Sequence, residues 1–290
     1  MRSANPLIAG ENVYVRNVVT IDDPDDPRIA AFREVRERDV SGRRGGFIAE
    51  GEVVVRVLAR TSRHRPRSLL ISADRIARLA PLIAQFGPEV AVFRAGQAVM
   101  DAIVGFPIHR GVLAFGLRAP EPAADRLLAE LKGRALVVAL FGVSNHDNIG
   151  GIFRNAAAFG VGAVLIDGEC CDPLYRKAIR VSVGASLTVP FARMPPREDP
   201  IALLARHGFD IFALSPSGEL RLSDLAVPER AAVLLGAEGS GLPAAVLARS
   251  RAIAIPMADG FDSLNVATTS GIVLHHLARG GRESSAFGGS

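Results

Sequence analysis

Five polar or charged side chains fall in three short stretches of this chain, each next to glycine or apolar residues. Asn148 and Arg154 stand six residues apart in NIGGIFR. Glu238 sits among Gly236, Gly239 and Gly241 in LLGAEGSGLP, residues 234–243. Ser263 and Asn265 occupy a polar turn after the apolar run AIAIPM. Glycines let a backbone approach a ligand closely. A Ser or Asn oxygen accepts an orphan amide hydrogen bond at a helix start, so either residue reads on its own as a cap. Taken singly, each stretch is a structural turn as readily as a site. All three follow predicted strands, and open α/β sheets bind their ligands at the carboxyl ends of strands. Together they predict a pocket that holds a ligand against bare backbone with polar groups around it.

Two common phosphate-binding patterns are excluded. Gly236, Gly239 and Gly241 lack the dinucleotide spacing, and the next helix starts only after Pro243. No Lys-Ser/Thr pair follows, so the loop is not a phosphate P-loop. A nicotinamide-dependent dehydrogenase would need Gly-x-Gly-x-x-Gly after its first strand, and that is absent.

Stepping outward to the elements, the second half alternates apolar strands with helices. RALVVALF, AVLID, TVPFAR, DIFALS, AAVLLG and AIAIPM read as strands. NIGGIFRNAAAFG, PLYRKAIRVSVGA, IALLARHG, PAAVLARS and NVATTSGIVLHHLAR read as helices, the first ended by Gly160 and the last by Gly280 and Gly281. Continuous apolar strands of this kind predict a parallel sheet covered on both faces. Before a break at APEPAAD, residues 119–125, four strands and two helices predict a smaller α/β unit. Residues 20–44 read as one irregular segment with a short helix around RIAAFREVR. The expected organisation is residues 1–118, a linker and first helix at 119–133, a main domain at 134–282, and a disordered tail at 283–290.

Charge divides unevenly. Residues 1–118 hold 18 Arg or Lys against 13 Asp or Glu, a net of +5, and residues 119–290 hold 16 against 17, a net of −1. Arg43, Arg44, Arg56, Arg60, Arg63, Arg65 and Arg67 crowd one stretch, which reads equally as a solvated basic face or a polyanion-binding patch. The first residues lack the apolar core of a secretory signal, and no apolar run approaches the ~18 residues of a membrane span. Cys170 and Cys171 are adjacent and alone, which suits packing in a reducing cytoplasm. His275 and His276 have no acid or Cys at ligand spacing, so no metal is expected.

The three stretches together resemble the SpoU, or TrmH-type, family of RNA ribose methyltransferases in the trefoil-knotted superfamily. The resemblance rests on NIGGIFR, on GAEGSGLP at 236–243, and on IPM with SLNV at 255–257 and 263–266, and it covers about residues 134–279. FIAEG and HRGVLAF more weakly resemble the small RNA-binding domain that many members carry. SNHDN, residues 144–148, departs from the family's Asp-Pro-x-Asn, which leaves His146 and Asp147 without an assigned role, and Asn155 is not the commonest residue after the Arg.

The resemblance implies a knotted parallel-sheet α/β domain, a smaller RNA-binding-like domain, a homodimer and an RNA substrate, ribosomal or transfer, without DNA or membrane. It implies S-adenosylmethionine held by Gly236, Ile255, Met257 and Leu264. Arg154 would orient the ribose 2′-hydroxyl and stabilise developing negative charge, because Arg stays protonated and is a demanding base. Asn148, Glu238, Ser263 and Asn265 would fix Arg154 and the ribose. His109 and Arg110 are expected to be structural or to touch RNA. Tyr175 with Arg176, Lys177 and Arg180 reads as a basic helix face near RNA. The competing expectation is an RNA-binding protein that keeps this fold and methylates nothing.

Overall fold

A computed structural model describes residues 18–33, 45–61, 63–104, 111–259 and 263–278. Arg43, Arg44, His109, Arg110, Gly280, Gly281 and the segment 283–290 lie outside the described residues. The chain forms two compact units, Met1–Ala119 and Pro120–Ser290.

Unit one is a mixed sheet with strand order β1-β4-β3-β5-β2. Its strands are β1 (Val18–Ile21), β2 (Gly46–Glu50), β3 (Arg65–Ser72), β4 (Ala91–Ala95) and β5 (Val112–Leu117). β1, β4 and β3 run parallel, while β5 pairs antiparallel with both β3 and β2. Phe32, Leu70, Phe93, Met100 and Leu113 fill its core. The sequence reading missed β1 and the Gln97–Val104 helix. Four residues beside an Asp-Pro run carry little period-2 signal for β1, and its place comes from pairing along β4.

His64 is also buried in this unit, 4% exposed. Its Nδ1 accepts from the Ala119 amide at 3.2 Å, and its ring meets Phe47 edge-on. Nε2 is buried and has no hydrogen-bond partner among the described residues. Burial, reinforced by Arg63 and Arg118, lowers its pKa to about 4.

Unit two is a seven-stranded sheet, every pairing parallel, in the order β10-β12-β9-β11-β6-β7-β8. The strands are β6 (Ala135–Phe141), β7 (Ala163–Ile166), β8 (Phe191–Arg193), β9 (Asp210–Leu214), β10 (Leu220–Arg221), β11 (Arg230–Gly236) and β12 (Arg251–Ala254). β6 is buried along almost its whole length, as its unbroken run ALVVALF requires. From β6 the chain builds outward through β7 and β8, then crosses to β9 on the other side. β11 enters between β9 and β6, so the build direction reverses beside β6. That reversal puts a crevice at the carboxyl ends of β6 and β11.

Three elements differ from the sequence reading. The helix expected over PLYRKAIRVSVGA covers only Arg176–Val181, because Val183 and Gly184 adopt φ of 55° and 84° before a single turn at Ala185–Thr188. β-branched valines around Ser182 weaken helix propensity there. PAAVLARS yields one turn, Ala244–Leu247. The strand expected through Met257 stops at Ala254, two residues before Pro256, which has no amide to give a ladder. The two-residue strand β10 was also not anticipated.

Candidate active site

The helix His146–Ala158 leaves the carboxyl end of β6 and is capped by Asn145, whose side chain accepts from the Asp147 amide. Gly142 begins the connecting loop at φ 66°, and Asp167 from the end of β7 accepts its amide at 2.9 Å. Two glycines then let this helix lie close between its neighbours. A Cβ on Gly150 would stand 2.7 Å from the Cβ of Val181, and one on Gly151 would stand 2.6 Å from that of Ala267. Asn155 fastens the second contact, donating from Nδ2 to the Ala267 carbonyl at 2.7 Å and the Ser270 hydroxyl at 2.9 Å. So the residue that departs from the family pattern ties this helix to the last one, Val266–Ala278.

That packing aligns three loops. Asn148 Nδ2 donates to Glu238 Oε1 at 2.8 Å. Asn265 Nδ2 donates to Asn148 Oδ1 at 2.8 Å and to Glu238 Oε1 at 3.0 Å. The three side chains form a closed triangle. Asn148, at 5% exposure, is its buried corner, and Glu238 and Asn265 are exposed. Glu238 Oε2 makes no hydrogen bond among the described residues. Asn265 also caps its own helix, its Oδ1 accepting from the Ala267 and Thr268 amides at 2.9 and 3.2 Å. An amide side chain accepts at the helix through its oxygen and donates twice into the triangle through its nitrogen.

Gly236 ends β11 opposite Phe141, and the following loop folds back so tightly that a Cβ at Gly236 would meet the Gly241 carbonyl carbon at 2.2 Å. Gly239 and Gly241 adopt φ of 90° and 68° with open space around them, leaving backbone bare beside Glu238. Ile255 and Met257, after β12, are half-buried, and Leu264, next to Asn265, is 40% exposed. Leu264 is therefore among the few large apolar side chains that the described residues leave open to solvent.

Arg154 and Ser263 stand apart from the triangle. Both are exposed, and neither forms a hydrogen bond or ion pair among the described residues. Six residues along a helix is ~9 Å of rise and about 120° of rotation from Asn148. Arg154 therefore keeps its charge uncommitted on a neighbouring face, and the triangle does not hold it as the sequence reading expected.

Sequence reasoning missed the partners of the SNHDN loop. His146 packs against Tyr175 with ring centroids 4.1 Å apart and ring planes tilted by 38°, and Lys177 pairs with Asp147 at 2.6 Å. Burial first, then Lys177, lowers the His146 pKa, against the opposite pull of Asp172 and Asp147. Tyr175 lies 29 residues from His146, so no local spacing could reveal the pair. Nearby, burial and Asp167 push the Cys170 thiol up to about 12, and burial with Asp172 pushes Cys171 to about 11, so both are poor nucleophiles. Among the described residues no group of three His, Cys, Asp or Glu converges as metal ligands do.

Residues 135–275 match the model of the SpoU rRNA Methylase family. A Mycobacterium bovis protein named as an uncharacterized tRNA/rRNA methyltransferase is 41% identical over 275 residues, 91% of this chain and 93% of that one. The AdoMet-bound rRNA methyltransferase of Sinorhizobium meliloti superposes with a TM-score of 0.76 at 24% identity, covering 91% of this chain and 98% of that one. An enzyme described as an RNA 2′-O ribose methyltransferase superposes at 0.73 and 24%, covering 90% and 98%. At that identity these two likenesses speak for the fold.

Proposed function

We propose a reaction from one premise: the chain belongs to the SpoU rRNA methylase family, and its type is an RNA methyltransferase. Its methyl donor is S-adenosylmethionine, and the acceptor is a ribose 2′-hydroxyl of ribosomal or transfer RNA, with ribosomal RNA favoured by the smaller basic unit. The observation that carries the reading is the Asn148–Glu238–Asn265 triangle beside an exposed Leu264 and bare glycine backbone. These residues fit the donor. Leu264, Ile255 and Met257 offer an apolar wall for an adenine, and the backbone from Gly236 offers amides and carbonyls for its edges. When bound, the donor supplies a methyl group on a positively charged sulfur, open to in-line displacement.

The chain's own residues do the rest. Glu238 Oε2, free of the triangle, accepts from a sugar hydroxyl. Asn148 and Asn265 hold that carboxylate in place. Arg154 turns its uncommitted guanidinium toward the attacking oxygen and the adjacent phosphate, and stabilises the negative charge that builds as the hydroxyl proton passes to solvent water. Ser263 lines the mouth of the same turn. Positioning supplies much of the rate in such a displacement.

Several larger features belong to this reading. β12 lies beyond β9, yet its helix returns to pack on the Asn148 helix, a path that supports a knot. Four of the apolar residues on that helix, Val266, Val273, Leu274 and Leu277, are buried within the chain, and Ile272 is 39% exposed. Ile272 supports a homodimer through this helix, which light scattering would read. The arginine-rich residues 1–118 supply affinity for phosphate. No helix among the described residues is long and apolar enough to cross a membrane, in keeping with work on cytoplasmic RNA.

Arg154→Ala tests the core of this proposal. Methyl transfer to RNA from a strain lacking the gene should fall about 100-fold, as for loss of one preorganised charge contact. Donor affinity by calorimetry should hold. A wild-type rate in that variant overturns the assignment, and mapping the mark to a base rather than a ribose overturns the reaction class.

A further inference from the structure

The tilted ring pair beside the site has surface to spare. His146 opens the helix that carries Asn148 two residues later, and Tyr175 precedes the Arg176–Val181 helix. Both rings are half-buried, so each keeps solvent-facing area. Lys177, 46% exposed at the side chain, stands beside them through its pair with Asp147. Two half-buried aromatic rings inclined at 38° with a cation close by offer ring faces on which an unpaired nucleobase on a phosphate chain can stack. The placement is also selective within this chain. It has no Trp and only two Tyr, and one of the two stands here at the carboxyl end of the sheet.

We propose that His146 and Tyr175 form a stacking ledge for an unpaired base of the RNA, adjacent to the nucleotide whose ribose is methylated. The proposal rests on the RNA methyltransferase reading and adds to it a substrate feature: the target lies in single-stranded or looped RNA. A pair that served only to join two helices would be indifferent to bases.

The sequence makes a direct test available. In a full-length Tyr14→Phe protein, Tyr175 is the sole tyrosine and no Trp masks its emission. The probes are an oligoadenylate about ten nucleotides long and an abasic ribose-phosphate oligomer of the same length and charge, within the span such sites cover. Oligoadenylate should quench Tyr175 emission on binding, and the abasic oligomer should bind without quenching it. Tyr175→Leu and His146→Ala should each weaken oligoadenylate binding about 10-fold, the loss of one stacked base, and leave abasic binding unchanged. Equal quenching by both oligomers, or binding of oligoadenylate without quenching, overturns the ledge. The two readings fail separately: base-specific quenching in a wild type that transfers no methyl overturns the enzymatic reading and leaves the ledge as an RNA contact.

Discussion

Asn265 does two jobs with one side chain, and the two can be pulled apart. Its Oδ1 caps the last helix while its Nδ2 donates twice into the triangle. Asn265→Asp keeps the cap, since Asp is as good an N-cap as Asn. It removes both donated bonds and sets a second carboxylate against Glu238. We expect secondary structure and the thermal midpoint to stay close to wild type, while methyl transfer drops by about two orders of magnitude, as for other preorganised polar contacts. Asn265→Ser should lose activity in the same way with its cap retained. A fully active Asn265→Asp enzyme would dissolve the triangle's role. The residue types Asn148, Glu238 and Asn265 were legible in the sequence as site candidates. Their hydrogen bonds to one another were not, because the partners are 90 and 117 residues apart. Arg154 shows the converse. Its motif named it, and only the structure shows that it is exposed and without a partner among the described residues.

At the level of elements, the site depends on two helices lying closer than side chains normally allow. Gly151→Ala would place a Cβ 2.6 Å from that of Ala267, and Gly150→Ala would crowd Val181 and the Ala178 carbonyl. Overpacking of this kind costs about 1–3 kcal/mol, so denaturant midpoints should fall for both. Gly151→Ala should also slow methyl transfer, since it moves the helix that carries Asn265 away from Asn148. Gly168→Ala, with open space around the new Cβ, is the control and should change neither. If Gly151→Ala matches that control, the close approach is not what aligns the loops. The sequence reading placed both of these helices and the strands before them, since their apolar runs are long. It overextended Arg176–Val181, where helical and extended preferences compete around Val183. It missed β1 and β10, strands of four and two residues whose existence comes from a neighbour.

Across the whole molecule, acid should act first on unit one. His64 is held neutral by burial, with a folded pKa of about 4, below the 6.5 of an exposed histidine. The unfolded chain therefore takes up a proton below pH 6.5 that the folded unit refuses until about pH 4. Stability from this group is complete above pH 6.5 and declines as pH falls toward 4, by about 3 kcal/mol in all at 1.36 kcal/mol per unit. Urea midpoints followed from pH 7.5 to 4 should show that decline, and His64→Gln, which does not titrate, should flatten it. An unchanged slope in His64→Gln would mean that other groups set the acid limit. Charge asymmetry between the two halves was readable from composition alone. The burial of His64 was not, because HRPR reads as a basic surface loop until β3 carries it under Phe47.

The strand order also sets a timetable. β6 is complete at Phe141, but β11, which covers one of its edges, begins at Arg230. Asn148 waits longer still, for Asn265. Ribosomes add roughly 5–20 residues per second, so the 117 residues between those two take on the order of ten seconds to emerge. For most of that interval, until β11 emerges, the growing chain carries an apolar central strand with an open edge, the kind of edge that recruits other chains. A product ending before β11 is therefore prone to aggregate, one ending before the last helix lacks the contact that completes the site, and that late contact marks the protein as finished.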